Sequence, residues 1–262
     1  MINSVYKAIT IMKLFNEHEP RLSLAQISRR LDMPKSTAHN LLNTLAMAGM
    51  IEKVDGDSYA LGTEIIALTQ NVRVNVELRD RAAPLLRALA DSCNETVYLA
   101  VKDGDALLYI YAIESSQRLL ARSAVGDRVP LHCTSLGKAI LAELPQATVR
   151  EIIERAGMPT FTEFTIASLE ELEAELAQIR AQGYALDRQE HEYDTYCIGA
   201  PIFDARGRIV AACSISGADP NIIDANRESL AAALVQTAHE ISRRMGYVPS
   251  TLSRNAHVPE RK

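Results

Sequence analysis

The sequence predicts an α+β protein in two unequal parts, a small N-terminal winged helix-turn-helix and a larger domain in which helices pack on an antiparallel sheet. Three observations lead there. Two short amphipathic segments abut around Met33-Pro34, a hairpin signal at Asp55-Gly56 follows them, and from Thr96 onward the apolar period changes from helical spacing to alternation.

The first helix is predicted over 3–17, because Val5, Ala8, Ile9, Met12 and Phe15 recur at helical spacing and would face inward. Ser23 can accept a backbone N–H as N-cap of a second helix whose Leu24, Ile27 and Leu31 share one face. Pro34 suits the first position of a third helix over 34–48, where its missing N–H would have had no partner. In that helix Ala38, Leu41, Leu42 and Leu45 point inward, so Ser36, Asn40 and Asn43 point outward, flanked by Thr37, His39 and Thr44. Short uncharged side chains of this kind suit base edges, Asn with adenine in particular, while Ser and Thr also suit phosphates. Double-stranded DNA is therefore the expected partner, with Ser23, Lys35, Ser36, Thr37, His39, Asn40 and Asn43 as candidate contacts. Gly49 ends the helix in the left-handed conformation. Residues 51–61 read as two strands around Asp55-Gly56, a wing from which Lys53 or Tyr59 would touch the DNA backbone. The plainer alternative is a small helical core with the polar exterior of any soluble helix.

Beyond Gly62, Ile65, Leu68, Val72 and Val76 recur along one side of a linker helix, and Leu78, Ala82, Leu85, Leu86 and Leu89 continue in a domain helix. The apolar seam of the linker suits either a buried core or a dimer contact. Strands are expected at 96–102 and 106–113 around Asp103-Gly104-Asp105, and another at 118–124. Helices follow at 137–144, 146–156 and 168–182, the last opened by Ser168 with Glu171 three residues on, a capping-box pattern. Strands at 197–203 and 209–216 precede a closing helix from about 224 to 245. The predicted organisation is a DNA-binding domain at 1–62, a linker helix at 63–76, a second domain at 77–247 and a polar tail at 248–262.

Composition narrows the function. The chain has 262 residues, 47% of them hydrophobic, which is enough for two cores. A net charge of −5 excludes a generally basic surface. Residues 1–62 hold seven Lys or Arg against six Asp or Glu, so phosphate attraction must come from local placement of Arg29, Arg30, Lys35 and Lys53. One copy would bind weakly, and dimerisation would repair this. No apolar run is long enough to cross a bilayer, and the start of the sequence lacks a signal-peptide layout, so a cytoplasmic location without membrane contact is expected. The four cysteines, Cys93, Cys133, Cys197 and Cys213, have no CxxC spacing and read as free thiols. The absence of Trp and scarcity of Phe disfavour a stacking surface for single strands.

A ligand site is suggested by polar residues where apolar ones belong. Ser214 and Ser216 are two apart in a strand, so both hydroxyls share one side of the sheet. They would bond either a ligand or their cross-strand neighbours. Thr134 or Ser135 caps a helix starting near Leu136, whose free N–H groups suit a carboxylate. Asp187 and Cys197 bracket a loop containing Glu190 and His191; Asp187 could take a ligand hydroxyl or be a solvated turn residue, and Cys197 and Cys133 could equally be small buried hydrophobes. Lys138 reads as a snorkelling or structural cation rather than a ligand group.

Three ordered motifs make the chain resemble the IclR family of bacterial transcription regulators: 34–42, Pro-Lys-Ser-Thr-Ala-His-Asn-Leu-Leu; 130–142, containing His132-Cys-Thr-Ser-Leu-Gly-Lys138; and Cys197-Ile-Gly-Ala-Pro201 with Ser214-Ile-Ser-Gly217. The resemblance spans Ser4 to Met245. It implies a winged helix-turn-helix, a linker helix and a GAF-like effector-binding domain, in dimers often paired into tetramers. It also implies a small organic acid as effector, with pocket positions at Ser135, Leu136, Asp187, Cys197, Ser214 and Ser216. No cofactor is expected. Two positions depart from the family pattern: Asn40 stands where Arg is usual, and Asp194 where Gly is usual. Two other readings use the same residues. Cys133, Cys197, His132 and His191 could serve a redox or metal sensor. A thiol enzyme would need an activated Cys133 in a positive environment, and no nucleophile motif is present.

Overall fold

Residues 2–16, 19–70, 76–114 and 125–248 are described by the computed structural model, and the chain divides into two units, residues 1–74 and 75–262. The first unit contains α1 (Asn3–Met12), β1 (Leu22–Ser23), α2 (Leu24–Arg30), α3 (Lys35–Met47), β2 (Ile51–Val54), β3 (Ser58–Leu61) and α4 (Glu64–Gln70). Its core gathers Ile11, Phe15, Ile27, Ala38, Leu42, Leu45 and Ile51.

Two local motifs set the turn between α2 and α3. Ser23 and Gln26 form a complete capping box: Ser23 Oγ accepts the Gln26 N–H at 3.3 Å and Gln26 Oε1 accepts the Ser23 N–H at 2.8 Å. Asp32 then turns the chain with φ 45°, and Ser28 Oγ donates to Met33 O at 2.7 Å. Pro34 stands at the N-cap of α3, so the helix begins at Lys35, one residue later than predicted. At the other end Gly49, with φ 69°, closes a Schellman motif in which the Met50 N–H reaches Leu45 O at 2.9 Å.

Two sequence expectations need correction here. The first helix ends at Met12 rather than at 17, and its buried residue is Ile11, while Val5 and Ile9 are 53% and 42% exposed. The segment carries two apolar stripes, and periodicity alone does not say which one meets the core. The wing is also wider than a hairpin. Strand β1 pairs with β3, Leu22 opposite Tyr59, so β3 is the central strand of a β1-β3-β2 sheet. The sheet still needs a close approach at Gly62, where a side chain would strike the Gly49 carbonyl.

The second unit holds α5 (Val76–Cys93), β4 (Thr96–Asp103), β5 (Ala106–Ile113), β6 (Arg128–Pro130), α6 (Ser135–Ala142), α7 (Gln146–Ala156) and α8 (Leu169–Gln182). Then come β7 (Ala185–Arg188), β8 (Tyr196–Phe203), β9 (Ile209–Gly217), a 3-10 turn at Pro220–Ile222 and α9 (Arg227–Arg244). The sheet is antiparallel in the order β6-β5-β4-β9-β8-β7. Alternation along the strands separates two cores. Val97, Leu99, Ile198, Cys213 and Ile215 face α5 and α9, whereas Tyr98, Ala100, Tyr109 and Ala212 face α6, α7 and α8. The result is a sheet covered by helices on both faces. Ser168 caps α8 through the Glu171 N–H at 3.2 Å, the Ser-to-backbone half of the expected box. The strand expected at 118–124 and the tail beyond 248 lie outside the described residues, as do 71–75 of the expected linker helix.

Candidate functional site

In the first unit, α3 presents a polar side. Lys35, Ser36, His39, Asn40 and Asn43 are exposed and Thr37 is half-buried, while Ala38, Leu42 and Leu45 hold the helix to the core. His39 and Asn43 touch one turn apart, Asn43 Nδ2 to His39 Nδ1 at 3.3 Å. No acidic residue occupies the first turn of α3, so its N-terminal N–H groups and Lys35 favour an anion such as phosphate. Lys53 is exposed on the wing and lies 3.2 Å from Asp57.

Two of the predicted contacts are placed differently. Tyr59 is only 5% exposed and belongs to the core, because β3 is central and turns this side chain inward; it is not a wing-surface residue. Ser23 is half-buried, with its hydroxyl engaged by Gln26 in the capping box.

In the second unit the six predicted ligand residues line one cavity of about 30 Å³. The strand register explains the convergence. Asp187 on β7, Cys197 on β8 and Ser216 on β9 stand in one row across the sheet, and Gly199, Ser214 and Tyr98 form the next. Thr134 accepts the Gly137 N–H at 3.2 Å and so directs the first turn of α6, with Ser135 and Leu136, at the cavity. Gly199 lets α6 come that close: a Cβ there would lie 2.5 Å from Ser135 O. Ser216 has found a cross-strand partner, Cys197 Sγ, at 3.2 Å.

Sequence reasoning missed Tyr98, Tyr109, Thr195 and Glu192 in the wall. Tyr98 and Tyr109 pack edge to face, 5.1 Å between centroids. The signal for Tyr98 was its alternation with Val97 and Leu99, which places it on the side opposite the aliphatic core. Asp194 takes a left-handed φ of 55°, a conformation that Asp can adopt, and its N–H reaches Gln189 Oε1 at 2.9 Å.

Behind the cavity lies a buried charge cluster. Lys138, 1% exposed and so not snorkelling, sends Nζ to Glu190 at 2.5 Å and Glu175 at 3.2 Å. Burial works against its charge, but Glu190 and Glu175 outweigh burial and hold the ammonium above the ordinary lysine range. Burial also pushes the Asp187 carboxyl up to about 8, with Glu190 adding to the effect.

The sensor alternative gains no support from this arrangement. Among the described residues no three His, Cys, Asp or Glu side chains are grouped to hold a metal ion. Burial raises the Cys133 thiol far above its usual range and Cys213 to about 12, the opposite of an activated thiol. Among the described residues no helix is long and apolar enough to cross a membrane.

Comparison with known proteins agrees with the two-unit reading. Residues 4–55 match the family model of the IclR helix-turn-helix domain, and residues 70–243 that of the bacterial transcriptional regulator IclR C-terminal domain. The HTH-type transcriptional regulator XynR of Escherichia coli (strain K12) is 35% identical over 248 residues, covering 94% of this chain and 98% of XynR. The crystal structure of Thermotoga maritima IclR is similar with a TM-score of 0.78 at 32% identity, over 94% of this chain and all of that one. An IclR homologue from Microbacterium hydrocarbonoxydans, solved in complex with 4-hydroxybenzoate, shares the fold with a TM-score of 0.83 at 23% identity, over 92% and 98% of the two chains. The matched domains and relatives are transcriptional regulators, not enzymes. With its helix-turn-helix and its larger domain both matched, the chain belongs to the IclR family of bacterial DNA-binding transcriptional regulators.

Proposed function

We propose that this regulator controls a catabolic operon in the cytoplasm and responds to a small organic acid that binds in the cavity of the second unit. The observation that carries this reading is the convergence of Ser135, Leu136, Asp187, Cys197, Ser214 and Ser216 on that one cavity. In this reading α3 enters the major groove of a roughly two-fold operator. Lys35, Ser36, Thr37, His39, Asn40 and Asn43 contact bases or phosphates, and Lys53 meets the backbone. The near-neutral charge of residues 1–62 favours a dimer or tetramer as the binding form, since one copy gains little from phosphates. In this reading residues 1–62 bind DNA, 63–76 form a linker helix and 77–247 form the effector domain. A ligand shifts DNA affinity only as far as it prefers one arrangement over another.

A cavity of about 30 Å³ has room for about two waters, so an effector larger than a few heavy atoms binds by displacing its lining. The test is a gel-shift titration of the full chain on promoter fragments near its own gene against random competitor, with and without a panel of organic, aromatic and sugar acids. Preference for one fragment, altered by an acid that also raises the melting temperature, supports the reading. Equal binding to every fragment with every acid refutes it.

A further inference from the structure

Lys138, Glu175 and Glu190 meet behind the cavity, Asp187 adjoins them from its wall, and the contacts of the three acids are unequal. Lys138 Nζ touches Glu190 and Glu175. Asp187 is 3% exposed, and its Oδ1 accepts from a backbone donor, the Glu190 N–H, at 2.8 Å. Glu175 is partly exposed to water, but with Glu190 and Asp187 both ionised the buried groups would carry one negative charge beyond what Lys138 compensates, which a buried site does not tolerate. The acid without an ammonium contact is the one to hold a proton.

The groups around Asp187 supply no second cation. His191, in the loop after β7, is held below the ordinary imidazole range by burial, and Glu192 beside it is another acid. Cys197 faces Asp187 from β8, Cys133 precedes α6, and Tyr98 and Tyr109 offer phenols from β4 and β5. Among the described residues no Lys or Arg lines the cavity. An ionised Asp187 would therefore repel a carboxylate bound at the first turn of α6.

We propose that Asp187 stands in the cavity as a neutral carboxylic acid and donates a hydrogen bond to an effector oxygen, so that an anionic effector is bound together with one proton. This rests on the cavity being the effector site. The proton stays on Asp187 or is shared with the ligand; no covalent bond changes. Specificity follows, because the same group that accepts from a hydroxyl when ionised offers a donor to an anion when protonated.

Two measurements test the proposal on the full chain. The first needs no ligand: carbon-13 NMR of protein labelled at the aspartate carboxyl carbons, with Asp187→Asn for assignment. One resonance should keep the neutral-acid shift at pH 7 and be missing from the variant; an Asp187 resonance at the carboxylate shift at pH 7 overturns the proposal. The second follows calorimetric binding of pyruvate, gluconate and 4-hydroxybenzoate between pH 6.5 and 9.5. The expected loss is about tenfold from pH 7 to pH 9, absent in Asp187→Asn, as one acid titrating at about 8 requires. If Ser214→Ala and Ser216→Ala leave binding of these probes unchanged, the effector-site reading fails, while the NMR result still decides the protonation state. If the serine changes weaken binding but the pH profile is flat, proton coupling alone fails.

Discussion

Replacing Lys138 with Met should destabilise the second unit by about 3–5 kcal/mol at pH 8, the usual cost of leaving one half of a buried ion pair behind. Met has a similar length and volume, so little of this loss comes from packing. The loss is electrostatic. At about 3 Å and an effective dielectric near 20, each close contact of Nζ with a carboxylate is worth on the order of 5 kcal/mol before desolvation is counted. Glu175 is partly exposed and water can replace its partner, whereas Glu190 is buried and, among the described residues, its Oε2 has no hydrogen-bond partner. Glu190 therefore carries most of the effect. Burial already raises its carboxyl, and removing Lys138 raises it further. An acid whose folded pKa lies above its unfolded value stabilises the fold at low pH and loses that contribution as pH rises through the folded pKa. The deficit of Lys138→Met should accordingly be small near pH 4.5 and grow toward pH 8. Differential scanning calorimetry of the full chain reads it as a fall of roughly 6–20 °C in the transition of the second unit at pH 8. Adding Glu190→Gln should restore at least half of the loss. A single variant within 1 kcal/mol of the parent, or a double variant no better than the single, would refute the reasoning.

Other expected outcomes bear on the DNA surface and the cavity floor. Asn40→Ala and Asn43→Ala should each reduce discrimination between operator and random DNA by about 1–3 kcal/mol, read by competition gel shift; equal losses on both DNAs would assign these residues to phosphates instead. Lys53→Ala should weaken binding evenly across sequences and reduce the salt slope by about 1, whereas Tyr59→Phe should leave binding unchanged. A loss of DNA affinity in folded Tyr59→Phe would show that the tyrosine hydroxyl reaches the duplex after all. Gly199→Ala should cost about 1–3 kcal/mol in urea denaturation, since its Cβ would fall 2.5 Å from Ser135 O and force β8 and α6 apart.

Much of the fold was legible where the signal is local. Gly49, Ser168 and the helix at Gln146–Ala156 are written in residues that act on their immediate neighbours. Strands β1 and β6 were not legible, because two and three residues are too few for alternation to show, and β7, as short as β2 and β3, lacks the tight Asp-Gly turn that betrays those two. The cavity could be read from its anomalies, hydroxyls and a carboxylate on strands that should be apolar. Tyr98 escaped because a tyrosine in a strand is ordinary. The burial of Lys138 could not be foreseen from its surroundings in sequence, since the acids that permit it lie 37 and 52 residues away.

Helix α6 has no outward side: every residue from Ser135 to Ala142 is buried. A surface helix can absorb a push at its tip by rearranging side chains that hang in water, and this one has none to rearrange. Interiors packed to crystalline density compress little. Whatever displaces the first turn of α6 must therefore move its neighbours, the sheet beneath and α8 beside it, as one stiff body. The cavity and its surrounding layers behave as a single mechanical part.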